Sequence, residues 1–244
     1  MVSLIVNSID YETGYDLRMT PAARTAPRAR RPRNSITAEA IIAAAFAVSE
    51  RSAGTEPTFQ AIGAELGAHP TAIYRHFRDK NELMLGLVDA LHAEVLASHS
   101  EPLEAWDDEL RALARTTHAV FERHAAIAQY AAVRTARSRH EFLMVERMLA
   151  AVRAAGLDDV TAARYYRMFG DAILSYSAND AALAALDEDV RRGDLLAWKN
   201  EYRNLPEAEY PNAAAVAQHF PALDDSANFE LLVEALIAAV RAAA

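Results

Sequence analysis

The residues from Thr58 to Lys80, "TFQAIGAELGAHPTAIYRHFRDK", constrain the fold of this chain more than any other stretch. Two short helical patterns flank Leu66-Gly67-Ala68-His69. In the first, Thr58 stands at the N-cap, Phe59, Ile62 and Leu66 turn inward, and Gly67 makes the turn. The second starts at Pro70, where a missing N–H costs nothing, and runs to about Phe77. Only Ile73 and Phe77, at i and i+4, are its inward pair. A helix this short and this polar is built to be presented to a partner, not buried, and the pair reads as a helix-turn-helix. Pro70, Thr71, Ala72 and Arg75 are left on the outer side. Tyr74, Arg75, His76 and Lys80 can reach phosphate oxygens by hydroxyl, imidazole or cation.

The charge distribution fits such a partner. Formal net charge is -9, yet from Arg18 to Lys80 ten Arg/Lys stand against five Asp/Glu, and beyond Lys80 fifteen stand against twenty-six. A basic N-terminal module is joined to an acidic body, and local sign sets the field that a polyanion meets. Pro21–Asn34, "PAARTAPRARRPRN", is too rich in Pro and Arg to form a core and is expected to be extended, either as a solvated tail or as an arm that touches DNA. Residues 1–18 show no clear period. They are either disordered or precede a true start at Met19. "MVSLIV" is short, lacks a basic start and is not expected to be a secretory signal.

The alanine-rich composition favours helices, since Ala and Leu lose little entropy in them. A first helix lies in "SITAEAIIAAAFAVSERSAG", capped by Ser35 or Thr37 and stopped by Gly54. Asp79 caps a longer fourth helix that begins "KNELMLGLVDAL". Further helices are expected at about 105–123, 125–136, 140–155, 160–186 and 225–243. Asp187–Leu223 reads as loop-rich, with one short helix near 194–202. No alternating strand pattern stands out. There are no cysteines, which excludes disulfides and thiolate metal sites and fits a cytoplasmic protein. The apolar runs fall short of the roughly 20 residues of a membrane span.

The stretch "TFQAIGAELGAHPTAIYRHFRDKNELMLGLVDAL" closely resembles the DNA-binding domain of the TetR (tetracycline-repressor) family of bacterial regulators. It carries the threonine opening helix two, the Leu-Gly before the turn, the Ile-Tyr and His-Phe pairs and the lysine, with Gly63 in the usual alanine place. His69 with Pro70 replaces the usual small cap at the head of helix three. The resemblance covers about Ile36–Ala97. It implies DNA contacts at Thr58, Gln60, Pro70, Thr71, Tyr74, Arg75, His76 and Lys80. Gln60 suits an adenine edge, Arg75 a guanine edge, and Tyr74, His76 and Lys80 the phosphates.

The same resemblance implies a C-terminal domain that binds a small effector and forms a homodimer. The expected organisation is all-α: a flexible basic arm over 1–34, a helix-turn-helix domain over 35–97 with a connecting helix, and an effector-binding and dimerisation domain over 98–244. Phe169, Ile173, Tyr176 and Leu183, with Leu232, Leu236 and Ala239, recur at helical spacing and suit either a four-helix dimer seam or an intrachain core. Candidate pocket liners are Trp106, His118, Phe121, Tyr130, Met144, Met148, Tyr165, Met168, Phe169, Asp171 and Tyr176, because aromatic and Met side chains suit an irregular apolar ligand. Asp171 favours a neutral or cationic ligand. His118 and Glu122 stand at i and i+4, but no third ligand follows at a matching spacing, so neither a metal nor a cofactor is expected.

Enzyme motifs are missing: there is no Gly-x-Ser-x-Gly, His-Glu-x-x-His, phosphate-cradling Gly loop or dinucleotide fingerprint. The resemblance thus implies a ligand-responsive, homodimeric regulator, and the expectation is a repressor released from a palindromic operator by a small apolar effector. The alternatives are an activator of the same fold and a helical small-molecule-binding protein without DNA.

Overall fold

The computed structural model describes residues 36–52, 55–222 and 225–244. The Pro/Arg arm, Ser35 and Gly54 lie outside them. Ten α-helices and three 3₁₀ segments make up the described chain, and no strand occurs among the described residues.

α1 (Ala38–Arg51) is capped by Thr37, whose hydroxyl accepts from Ala40 N. α2 (Phe59–Leu66) is capped by Thr58 and ends at Gly67 in the left-handed region. The next element, Pro70–Arg75, is a 3₁₀ helix and not the longer α-helix expected to Phe77. His76 N and Phe77 N both donate to Ile73 O, so the last turn closes on one carbonyl and only Ile73 and Phe77 are drawn under it. α1, α2, this 3₁₀ helix and the head of α3 form the N-terminal helix-turn-helix domain.

α3 (Lys80–Ser98), capped by Asp79, runs from that domain into the body. It buries Leu83, Met84, Leu87, Val88, Leu91 and Val95. Its polar side chains are clasped by the helices that follow. Asn81 accepts from Tyr130 and Arg134 at 2.8 Å each. Asp89 accepts from His140 N at 3.1 Å and faces its Nδ1 at 3.0 Å. Glu94 pairs with Arg123 and His124.

The last clasp is the most buried. Glu109 is 3% exposed. One of its oxygens accepts from Arg147 Nε at 2.9 Å and Nη2 at 2.6 Å. The other accepts from Leu103 N at 2.9 Å and lies 2.7 Å from His99 Nε2. Arg147 also donates to the His99 carbonyl, which ends α3. Burial pushes the Glu109 carboxyl up, but the Leu103 N–H, His99 and Arg147 outweigh it and hold the group below the usual value.

The body comprises α4 (Trp106–Arg123), α5 (Ala125–Ala131), α6 (Arg139–Ala154), α7 (Asp159–Ala184) and α10 (Asp225–Ala243). α7 packs along α4, α5 and α6, and α10 covers α4 and α7. Phe169 and Ile173 of α7 and Leu236 of α10 are buried within the chain, so these three of the expected seam residues serve the intrachain core, whereas Leu183 stays exposed; Leu231, which was not among them, is exposed on α10.

Residues 185–222 depart from the loop expected there. α8 (Glu188–Asn200) is longer than the short helix anticipated, and α9 (Pro211–Val216) follows. The prolines misled the reading: Pro211 sits at the start of a helix, where proline is tolerated, and Pro221 lies in a 3₁₀ segment. Trp198 stacks on Tyr202 at 4.4 Å, and Phe220 meets both rings edge-on.

Candidate nucleic-acid interface and inner cavity

The turn between α2 and the 3₁₀ helix is tight. Gly67 has φ 61°, and Ala68 N donates to Gly63 O at 2.8 Å. A Cβ on Gly63 would sit 2.9 Å from Ala68 O, so glycine there lets the turn close on α2. His69 serves as the cap in place of the usual small residue: its Nδ1 accepts from Thr71 N at 3.3 Å and lies 3.0 Å from the Thr71 hydroxyl.

This geometry brings the expected contact residues to one region of the surface. Gln60, Thr71, Arg75, His76 and Lys80 are exposed, and Pro70 is half-buried beside Gly63. Tyr74 is 55% exposed, with its ring edge-on to Phe59 at 4.6 Å, so it is steadied without being a core residue. Thr58 Oγ1 accepts from Ala61 N at 3.2 Å and keeps its own proton to donate. The nearby acids are engaged. Glu56 pairs with Lys80, Glu65 with Arg51 and Glu82 with Arg78. The Arg78 backbone N–H, then its side chain, holds the Glu82 carboxyl below its usual value. Arg75 takes part in no ion pair among the described residues. Chemically, the surface offers an amide, three hydroxyls, an imidazole and two cations over an apolar base.

A cavity of about 340 Å³ lies within the body, walled by α3 to α7. Its apolar side comes from Leu113, Met144, Met148, Phe169, Ile173 and Leu174. Polar groups enter from His92 on α3, Thr117 on α4, Glu141 on α6, and Tyr166, Arg167 and Asp171 on α7, with Arg134 at the α5 end. Burial raises the Tyr166 hydroxyl above its usual pKa, and Glu141 adds to the rise.

Of the expected liners, Met144, Met148, Phe169 and Asp171 line this cavity. The other seven are placed elsewhere. Phe121 is fully buried in the core. His118 stacks on Phe229 at 4.1 Å with Tyr176 beside them, which joins α4, α7 and α10. Trp106 lies under the Arg241 guanidinium at 5.7 Å. Tyr130 turns its hydroxyl to Asn81. Tyr165 packs half-buried against the core, and Met168 is 40% exposed. Asp171 accepts from Arg167 Nε at 2.5 Å, which removes the reason to expect a cationic ligand there. His118 Nε2 lies 3.7 Å from both Glu122 and Asp180, and no group of three metal-ligating side chains occurs among the described residues.

Of the polar wall groups, sequence reading missed His92, Thr117, Arg134, Glu141, Tyr166 and Arg167. His92 did carry a signal, a polar residue set into the apolar stripe of Val88, Leu91 and Val95. The others lie on helix faces, and Arg134 in the loop after α5, that only the packing brings together.

Comparison with known proteins now bears on these two sites. Residues 41–87 match the family described as "Bacterial regulatory proteins, tetR family", and residues 100–243 match "Tetracyclin repressor-like, C-terminal domain". This chain belongs to the TetR family. An HTH-type transcriptional regulator of Saccharopolyspora erythraea is 28% identical over 218 residues, 86% of each chain. An HTH-type transcriptional repressor of Mycobacterium tuberculosis is 31% identical over 112 residues, 46% of this chain and 43% of that one. The TetR-family protein ActR of Streptomyces coelicolor, solved in complex with actinorhodin, superposes with a TM-score of 0.72 at 20% identity, covering 85% of this chain and 97% of ActR. The helix-turn-helix described above is thus the DNA-binding domain of a TetR-family regulator, and the larger helical domain is the family's C-terminal domain. No helix among the described residues is long and apolar enough to cross a membrane.

Proposed function

We propose that this TetR-family protein is a cytoplasmic, homodimeric repressor, released from a palindromic operator by a small apolar effector that occupies the cavity among α3 to α7. The observation that carries this reading is that α3 belongs to both sites. Its head bears Lys80 beside the exposed Tyr74, Arg75 and His76, and its body end contributes His92 to the cavity wall. A ligand that favours one setting of α3 then changes how the two recognition helices of a dimer are spaced. An operator with half-sites about 34–36 Å apart accepts one spacing. In this reading Gln60 and Arg75 read base edges, and Thr58, Pro70, Thr71, Tyr74, His76 and Lys80 hold the backbone. On the same reading the dimer seam runs along α7 and α10, and the exposure of Leu183 and Leu231 there supports it. The repressor named among the relatives favours repression.

The test is a gel shift with the DNA upstream of the protein's own gene, repeated with hydrophobic compounds that raise its melting temperature. To lower operator affinity 100-fold, an effector must favour the released state by about 2.7 kcal/mol, within the usual range of allosteric coupling. No retardation of that DNA, or compounds that bind without changing it, would refute the reading.

A further inference from the structure

His92 takes no part in the bonds that clasp α3 to the body, which Asn81, Asp89, Glu94 and the His99 carbonyl supply. It lies instead in the cavity wall. Its Nδ1 is sealed from solvent and meets no hydrogen-bond partner. Nε2 has no partner among the described residues either. Burial holds the imidazole below the usual histidine pKa, against the upward pull of Glu141 and Asp89, so the ring is neutral near pH 7. One nitrogen then carries a proton. A sealed N–H without an acceptor is rarer in folded proteins than an unmet lone pair, which places the proton on Nε2, the nitrogen left to the cavity.

The other wall groups decide what can meet that N–H. Arg167 is committed to Asp171. Arg134 is committed to Asn81 and Tyr130. The charged wall groups are two cations, Arg134 and Arg167, and two carboxylates, Glu141 and Asp171, so the wall offers no net positive charge to a carboxylate, and Glu141 repels one. Leu113, Met144, Met148, Phe169 and Ile173 supply an apolar wall to a cavity of about 340 Å³, and an aromatic ring suits it.

We infer that the cavity takes a neutral, largely apolar ring compound whose carbonyl or hydroxyl oxygen accepts a hydrogen bond from His92 Nε2, which makes His92 the specificity-determining residue that α3 contributes. The inference rests on reading this cavity as the effector site. It is tested without DNA, so its failure and the failure of the regulator reading are separable.

The experiment is calorimetric titration of the full chain with three naphthalenes of matched size: 2-acetylnaphthalene, 2-ethylnaphthalene and 2-naphthoate. The ketone binds about tenfold tighter than the hydrocarbon, as one well-made hydrogen bond allows, and the carboxylate binds weakest. In His92→Phe the ratio of ketone to hydrocarbon falls to about one while the hydrocarbon still binds. In His92→Gln part of the preference returns, because the amide N–H donates. In the wild-type chain, the ¹⁵N resonances of the His92 ring move with the ketone and not with the hydrocarbon, a readout that needs no variant. Equal affinity for ketone and hydrocarbon, a ratio that survives His92→Phe, tightest binding of the carboxylate, or binding of none of the three overturns the assignment.

Discussion

Replacing Arg147 by Met removes the cation that closes the clasp between α3, α4 and α6, and its cost can be worked from the contacts. Glu109 stays buried, with a charge that has lost two charge-assisted bonds from the guanidinium. Removing one partner of a buried pair costs about 3–5 kcal/mol. The Leu103 N–H and His99 still meet the carboxylate, which sets the loss at the low end, about 3 kcal/mol. For a chain of 244 residues this corresponds to a fall in Tm of roughly 6–12 °C. The pH dependence gives a second check. The folded-state pKa of Glu109 is depressed. Its contribution is therefore present above the ordinary carboxylate pKa and is lost as pH falls through the depressed value. The gap between wild type and Arg147→Met should be full at pH 7 and should narrow in acid. Melting followed by circular dichroism across that range measures both. A variant as stable as wild type at pH 7, or a gap that does not change on acidification, would refute the account of the clasp.

Three further outcomes are expected. Tyr74→Ala weakens binding to all DNA sequences in a footprinting titration, whereas Arg75→Ala also relaxes preference at one base position by about 1–3 kcal/mol; wild-type footprints from both would dismiss the contact assignment. Deleting residues 1–33 removes six arginines, and if they touch DNA the slope of log affinity against log salt falls by about 0.9 per lost contact; an unchanged slope makes the arm a solvated tail. Leu231→Glu, at a site 69% exposed in the single chain, yields folded monomers by light scattering because the new charge would be desolvated in the seam, while Leu236→Glu unfolds the chain through its core; a dimeric Leu231→Glu moves the seam elsewhere.

The helix-turn-helix was legible because its signals are local. Thr58 and Asp79 accept from the N–H three residues on, Gly67 takes the left-handed turn, and Ile73 and Phe77 fall inward at i and i+4. Each of these needs only a few residues of chain to be recognised. The 3₁₀ character of Pro70–Arg75 was not legible, since sequence spacing does not distinguish a turn that closes on i+3 from one that closes on i+4. The cavity was read only in part. Met144, Met148, Phe169 and Asp171 were found by composition, but Tyr130 and Trp106 were drawn away by Asn81 and Arg241, partners remote in sequence. The dimer seam suffered the same ambiguity. An apolar face at helical spacing does not say whether its cover comes from the same chain, and for Phe169, Ile173 and Leu236 it does.

The uninterrupted course of α3 has a mechanical consequence. Lys80 and His92 stand twelve residues apart on one α-helix, about 18 Å at 1.5 Å per residue. A helix transmits rotation far better than stretch, because its backbone hydrogen bonds fix the rise. A pivot of about 5° about His92 would therefore swing Lys80 sideways by about 1.6 Å. Hydrogen bonds to a fixed acceptor tolerate donor–acceptor distances over only about half an ångström. A turn of a few degrees at the cavity end of α3 is thus magnified, at the far end of the rod, into a displacement larger than a hydrogen bond from a rigidly held donor tolerates.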